Sequence, residues 1–182
     1  MDPKYGKIKR CNIMRDPDSL KRNLNLYVLS EDENGKLSYC NDALKSNLKM
    51  WLNQYRMIND TIDILSGKIV NFKVDFRVVS HRDYDKHAVL NQCIAAVREM
   101  FSQPLAMGEP IYLSDIQKAL NDLTGVVDVK SVKVHIARGG AYADTYLNLD
   151  EQKSADGRYI KIPINCSAEL KYPQNDVKGT VS

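Results

Sequence analysis

The sequence is short of the groupings that close a metal site or an active site. Its four cysteines, Cys11, Cys40, Cys93 and Cys166, lie far apart with no CxxC spacing. A zinc site or a thioredoxin-like motif needs closely spaced pairs, so neither is indicated, and reduced thiols in a cytoplasmic setting are expected. No GxSxG elbow, Walker loop, GxGxxG fingerprint or Cys–His constellation occurs, which leaves nucleophilic, phosphate-cradling and dinucleotide chemistry without a motif. No apolar run approaches the span of a bilayer, and no signal peptide or lipidation motif is visible, so membrane insertion is set aside. A basic stripe interleaved with aromatics is also missing. The formal charge of +3 arises at one end, where residues 1–22 hold seven Lys/Arg against three Asp and leave the remainder at −1. Around Lys4, Lys7, Lys9 and Arg10 the single ring is Tyr5. Nucleic-acid binding is not expected, and these basic residues read as the solvated face of a strand.

What is present is a foldable apolar pattern. With 43% hydrophobic residues over 182, the chain can build one ordinary domain or two small ones. Residues 7–14 and 24–29 are strand-like, and Asp16-Pro17-Asp18-Ser19 between them is turn chemistry, so a hairpin is expected. In the polar turn at 31–36, Asn34-Gly35 can take positive φ. From Asn41 the period changes, with Leu44, Leu48, Trp51, Leu52 and Tyr55 on one helical face and Asn41 or Asp42 as N-cap; Trp51 and Tyr55 are expected in the core in preference to an interface anchor. Ser66-Gly67 breaks the chain.

The strongest local signal follows. Val70, Phe72, Val74, Phe76 and Val78 alternate with Asn71, Lys73, Asp75 and Arg77, the pattern of a half-buried strand. Asp85 can cap a helix whose stripe is Val89, Leu90, Cys93, Ile94, Val97 and Phe101. Pro104 and Gly108 end that region. Ser114-Asp115-Ile116-Gln117 fits a capping box with Ser114 as N-cap, opening a helix that buries Ile116, Ala119, Leu120 and Leu123 and stops at Gly125. Val127, Val129, Val132, Val134 and Ile136 form another strand region whose phase slips between Val129 and Val132, which predicts a bulge or break. The stretches 159–164 and 168–173 each meet a proline and read as edge strands, and the tail is expected to be loosely held unless a partner covers it.

The expected fold is therefore α+β, with two small sheet-plus-helix units, antiparallel or mixed sheets, and a strand–helix–helix–strand block at 69–136. The expected divisions are an N-terminal unit at 1–66, a second unit at 67–138, and a Tyr-rich polar segment at 139–182 with short edge strands.

Few residues invite a chemical role. The run His81-Arg82-Asp83-Tyr84-Asp85-Lys86-His87 contains two His and two Asp but no HxH, HExxH or calcium-loop pattern, and a strand-to-helix loop with a capping Asp explains it. His135 reads as a packed or surface strand residue. Asp75 and Asp83 cannot be placed relative to each other, and Arg138-Gly139-Gly140 reads as a turn. No catalytic residue, cofactor site or metal site is assigned, and the chain is not expected to be an enzyme. Tyr142, Tyr146, Tyr159 and Tyr172 lie where little periodicity would bury them; they suit either a protein–protein contact or packing on their own domain, and they are the candidate interface residues.

Several phrases resemble the baseplate wedge subunits of contractile-tailed phages and the wider J-like baseplate family. They are Leu24-Asn25-Leu26-Tyr27-Val28-Leu29, the run from Asn41-Asp42-Ala43 through Leu52-Asn53-Gln54-Tyr55-Arg56-Met57, and Ile69-Val70-Asn71-Phe72-Lys73-Val74-Asp75-Phe76. To these are added the amphipathic helix from Asp85, Ile111-Tyr112-Leu113-Ser114-Asp115-Ile116 with Gly125-Val126-Val127-Asp128-Val129, and Leu170-Lys171-Tyr172-Pro173-Gln174-Asn175-Asp176-Val177-Lys178-Gly179. The polar stretch 137–165 departs from the family's pattern. The resemblance implies a structural virion protein of the tail baseplate, assembled in the host cytoplasm, without catalysis. It also implies self-association, as a homodimer within a ring, binding to neighbouring wedge proteins, and a chain that is the C-terminal portion of a longer subunit. The alternative is a non-viral adaptor module that captures a protein partner through the same sheet edges.

Overall fold

The computed structural model describes residues 7–16, 23–55 and 61–182. In chain order its elements are β1 (Ile8–Arg15), β2 (Asn23–Glu31), β3 (Leu37–Ser38), α1 (Asp42–Asn53), β4 (Thr61–Ser66), β5 (Lys68–Ser80), α2 (Lys86–Met100) and β6 (Ile111–Tyr112). There follow α3 (Leu113–Asn121), β7 (Val126–Ala137), α4 (Leu149–Gln152), β8 (Tyr159–Ile160), β9 (Cys166–Glu169), α5 (Pro173–Asp176) and β10 (Val177–Val181). The fold is α+β with mixed sheets.

Two sheets share one plan. In the first, β2 is central: β1 runs antiparallel along one edge, while β3 (antiparallel) and β4 (parallel) share the other. The expected hairpin of β1 and β2 forms, although its turn beyond Asp16 lies outside the described residues. Gly35 takes φ 75° in the β2–β3 turn, where the Asp32 carboxylate accepts from the N–H groups of Asn34 and Lys36 at 2.9 and 2.8 Å.

In the second sheet β5 is central. β7 runs antiparallel along one edge, and β9 and β10 lie parallel along the other, opposite Lys68–Asn71 and Val74–Val78. The alternation along β5 holds: Val70, Phe72, Val74, Phe76 and Val78 are buried under α2 and α3, each contributing about 1.5–3 kcal/mol of apolar burial. β7 bulges where the sequence slips phase, since Arg77 pairs Ser131 and Val78 pairs Val129, leaving Lys130 unpaired.

The helices explain themselves locally. Asn41 caps α1 by accepting from Leu44 N–H at 2.8 Å, and Asp85 caps α2 by accepting from Ala88 N–H at 2.9 Å. The capping box expected at Ser114 does not form. α3 starts two residues earlier, with Tyr112 at the N-cap position. The Arg158 carbonyl accepts from the N–H groups of Leu113 and Ser114 at 2.8 and 3.2 Å, so a distant main-chain acceptor satisfies the first turn and Ser114 turns to Asp115 instead. Gly125, expected to stop this helix, lies beyond its end: α3 closes at Asn121 with Asp122 as C-cap, and Gly125, at φ 92°, makes the turn into β7.

Three further expectations are corrected. Trp51 and Tyr55 are not core: α1 buries Leu44 and Leu48, with Leu52 partly covered, against Val28 and Cys40. The sheet beneath is narrow, Trp51 lies about 60° around the helix from Leu48 at 100° per residue, and Tyr55 follows the helix's last turn. The segment 168–173 enters the second sheet through β9, which lies along the edge of β5 as expected, but all four residues of that edge strand are buried and not open to solvent. Nor is the tail loosely held, since β10 pairs with the central strand for five residues. Ile160, Ile162, Cys166, Ala168, Leu170 and Val177 belong to the same core as Phe72 and Val97.

The two sheets meet through a small apolar junction of Leu29, Leu37, Ile69 and Met107. Gly67 joins β4 directly to β5, and a Cβ there would lie 3.0 Å from Leu29 Cγ. Polar groups reinforce the junction. The Arg10 guanidinium donates to the carbonyls of Leu105 and Pro104, so Arg10 ties β1 to the second unit and is not simply solvated, whereas Lys7 and Lys9 do pair with Glu31 near the surface.

Candidate functional site

The four tyrosines separate into distinct environments. Tyr142 follows the turn at Gly139-Gly140, where both glycines have positive φ. Its hydroxyl donates to Asp176 Oδ1 at 2.6 Å, and its ring meets that of Tyr172 edge-on at 5.4 Å. Asp176 is fully buried. Its other oxygen accepts from Tyr172 N–H at 2.9 Å, and Lys73 Nζ lies 3.7 Å from Oδ1 and 4.8 Å from the Tyr142 ring centroid. The Tyr142 hydroxyl, with Asp176 beyond it, holds the Lys73 ammonium above its usual range. Burial and the bond to Asp176 push the Tyr142 phenol up. At neutral pH the lysine is thus charged and the phenol protonated, which makes the cluster a clamp rather than an acid–base pair.

Beside it lies a second buried polar group. Glu169, 2% exposed, accepts from Leu37 N–H at 3.3 Å and from the Asn71 side chain at 3.5 Å, and Asn71 Oδ1 in turn accepts from Ala143 N–H at 2.7 Å. Burial raises the affinity of Glu169 for its proton. Through these bonds the polar segment after β7 is fastened across the start of β5, and the first unit is linked to the second by Leu37.

Tyr159 packs on Tyr112 at 5.7 Å between ring centroids, on the small β6–β8 pair. Tyr146 stands apart, 68% exposed, with the Arg138 guanidinium 5.2 Å from its ring centroid. Of the candidate interface residues, the structure brings Tyr142 and Tyr172 together and separates them from Tyr159 and Tyr146. Only Tyr146 presents most of its surface outward.

The aromatic surface that sequence reasoning missed is on α1. Trp51 and Tyr55 meet at 5.0 Å between centroids with their rings tilted by 50°, and are 36% and 70% exposed, with Met50 exposed beside them. The signal was available in the spacing: three leucines four residues apart already fill the face that a narrow sheet can cover.

Several of the polar residues that invited a chemical role have partners within the fold. His81 Nδ1 lies 3.2 Å from Asp83 in an exposed turn, Asp85 caps α2, and His135 Nε2 lies 3.2 Å from Asp75 on the open face of the second sheet. Asp75 and Asp83 therefore each pair with a different histidine. Among the described residues, no group of three or more His, Cys, Asp or Glu converges as a metal site would require. Cys40, Cys93 and Cys166 are buried, and burial pushes their thiols up, away from the reactive thiolate. Among the described residues, no helix is long and apolar enough to cross a membrane.

No protein-family model and no curated protein matches the chain.

Proposed function

We propose that the chain is a structural assembly protein, part of a baseplate wedge subunit of a contractile phage tail, that self-associates and binds neighbouring wedge proteins without catalysis. The observation that carries the assembly reading is the outward Met50–Trp51–Tyr55 surface on α1. Rigid aromatics with methionine are the side chains enriched at protein–protein contacts, where they bury large areas at small entropic cost. Beside it, Asp85 caps α2 and His81 and His135 lie against Asp83 and Asp75. The tail assignment rests on the sequence resemblance described above, and the homodimer supplies a two-fold contact from which a ring could be extended by a second, different interface.

Light scattering on the purified chain over a wide concentration range tests self-association. A concentration-dependent dimer that Trp51→Ser/Tyr55→Ser abolishes is expected, and a monomer at the highest concentration overturns it. Peptides of this chain in purified tail ends, found by mass spectrometry, are the expected result for the tail assignment. Their absence from tails that retain the plate overturns that part alone.

A further inference from the structure

Helices α2 and α3 cover one face of the second sheet, and the segment around Tyr142 covers only the Asn71–Lys73 end of the other. The rest of that face is open. Outward side chains of β10, β5 and β7 there line a shallow trough of about 520 Å³. Register places them in rows: Lys178, Asp75 and Lys133 lie side by side, and one step along lie Thr180, Arg77 and Ser131.

The charges on this face are unbalanced. Asp75 is engaged by His135, and Lys73 is engaged by Asp176. Arg77, Lys133 and Lys178 are exposed and form no ion pair or side-chain hydrogen bond among the described residues. Residues 23–182 as a whole carry a slight negative excess, so three free cations around one trough are a local concentration. Asp75, between Lys178 and Lys133, offsets one of these charges, which leaves the trough with a net positive charge from which an incoming anion gains.

We propose that this trough docks an extended acidic segment of a neighbouring protein, its carboxylates set against Arg77 and against Lys133 or Lys178. An extended segment presents side chains on one face at a repeat of about 6.8 Å, the same repeat that separates the two rows on β5. Ser131 and Thr180 supply hydroxyls beside the cations. A polyphosphate backbone fits less well, since its unbroken charge would set a phosphate over Asp75, whereas a peptide can place a backbone N–H there. Of the two rings that line the trough, Phe76 is buried and offers no face on which a base could stack, and the His135 imidazole is turned to Asp75 at 3.2 Å. The inference stands on the sheet face and is independent of the tail assignment.

The test is fluorescence anisotropy at low and moderate salt with a short labelled peptide of alternating Glu and Thr, and with a single-stranded oligonucleotide of similar length. The variants are Arg77→Gln/Lys133→Gln/Lys178→Gln and a charge-matched control, Lys45→Gln/Lys49→Gln/Lys118→Gln. Salt-sensitive peptide binding that weakens about tenfold or more in the trough variant and less than about twofold in the control is expected. Should the triple variant lose its native circular dichroism, the single reversal Lys133→Glu is read in its place, with the same direction expected. Equal loss in the control, no peptide binding at low salt, or oligonucleotide binding tighter than peptide binding and dependent on the same three residues overturns the proposal.

Discussion

Replacing Asp176 by alanine tests whether the buried clamp holds the C-terminal segment in place. The carboxylate accepts from the Tyr142 hydroxyl at 2.6 Å and from Tyr172 N–H at 2.9 Å, and has Lys73 Nζ at 3.7 Å. Hydrogen bonds to a charged group contribute about 1.5–3 kcal/mol each. The lysine, more than a third exposed, adds no more than about 1 kcal/mol after solvent screening. Relief from desolvating the carboxylate offsets part of this, but alanine leaves a phenol and a main-chain N–H without acceptors under Tyr172. The expected loss is about 3–5 kcal/mol, the range for breaking a buried charged group's partnership. With a urea m-value of about 2 kcal/mol/M for a chain of this size, the midpoint falls by roughly 2 M. Tyr142→Phe removes one donor and leaves the other two, so about 1–2 kcal/mol is expected, and the cycle with Asp176→Asn is non-additive. A loss under about 1 kcal/mol for Asp176→Ala, or a strictly additive cycle, refutes the clamp.

Three other changes probe separate features. Gly179 lies opposite Phe76, and an added Cβ would stand 2.9 Å from Leu90 Cδ1 and closer still to the Phe76 ring. Gly179→Ala is expected to cost about 1–3 kcal/mol in chemical denaturation and less in a Phe76→Leu background; an equal cost in both would show that the ring is not the obstacle. Glu169 holds its proton more tightly in the folded chain than in the unfolded one because it is buried, so stability falls as pH rises from the free glutamate's value near about 4.3 toward the folded value. Glu169→Gln removes that contribution, and stability curves of the two proteins that stay parallel from pH 4 to 8 would contradict it. Trp51→Ser/Tyr55→Ser is expected to change stability by less than about 1 kcal/mol, as for exposed residues; a loss of about 3–5 kcal/mol would return both rings to the core.

The parts of the fold that were legible in the sequence are those whose pairing is local or whose period is long enough to count. The β5 alternation, the α2 stripe and the β7 bulge each follow from a repeat within one segment, and Asn41 and Asp85 cap the helices their positions announce. What was not legible is the other edge of β5. Val177 pairs with Val74 and Cys166 with Lys68, across about a hundred intervening residues. Each partner strand is four or five residues long and lies near a proline or a polar turn, so neither shows a countable period. A weak sign existed: a strand buried on one face over its whole length needs hydrogen-bond partners on both edges, and β7 supplies just one.

The candidate site was harder to read for a related reason, because burial of a polar residue leaves no mark in a one-dimensional pattern. Asp176 sits in a stretch of Tyr, Pro, Gln and Asn that composition assigns to the surface, yet it is fully buried. A tyrosine can satisfy a buried carboxylate and pack its ring at once, so tyrosine enrichment near a polar segment is evidence of internal clamping as much as of an outward contact. Tyr142 is drawn inward by Asp176, while Tyr172, edge-on to its ring, stays exposed. The two proposed contact surfaces then rest on residues whose positions are fixed by geometry alone: Trp51 and Tyr55, displaced outward because three leucines exhaust what the narrow first sheet can cover, and the cations of the second sheet's open face, displayed because the strand that buries Phe72 and Phe76 must turn its alternate side chains the other way.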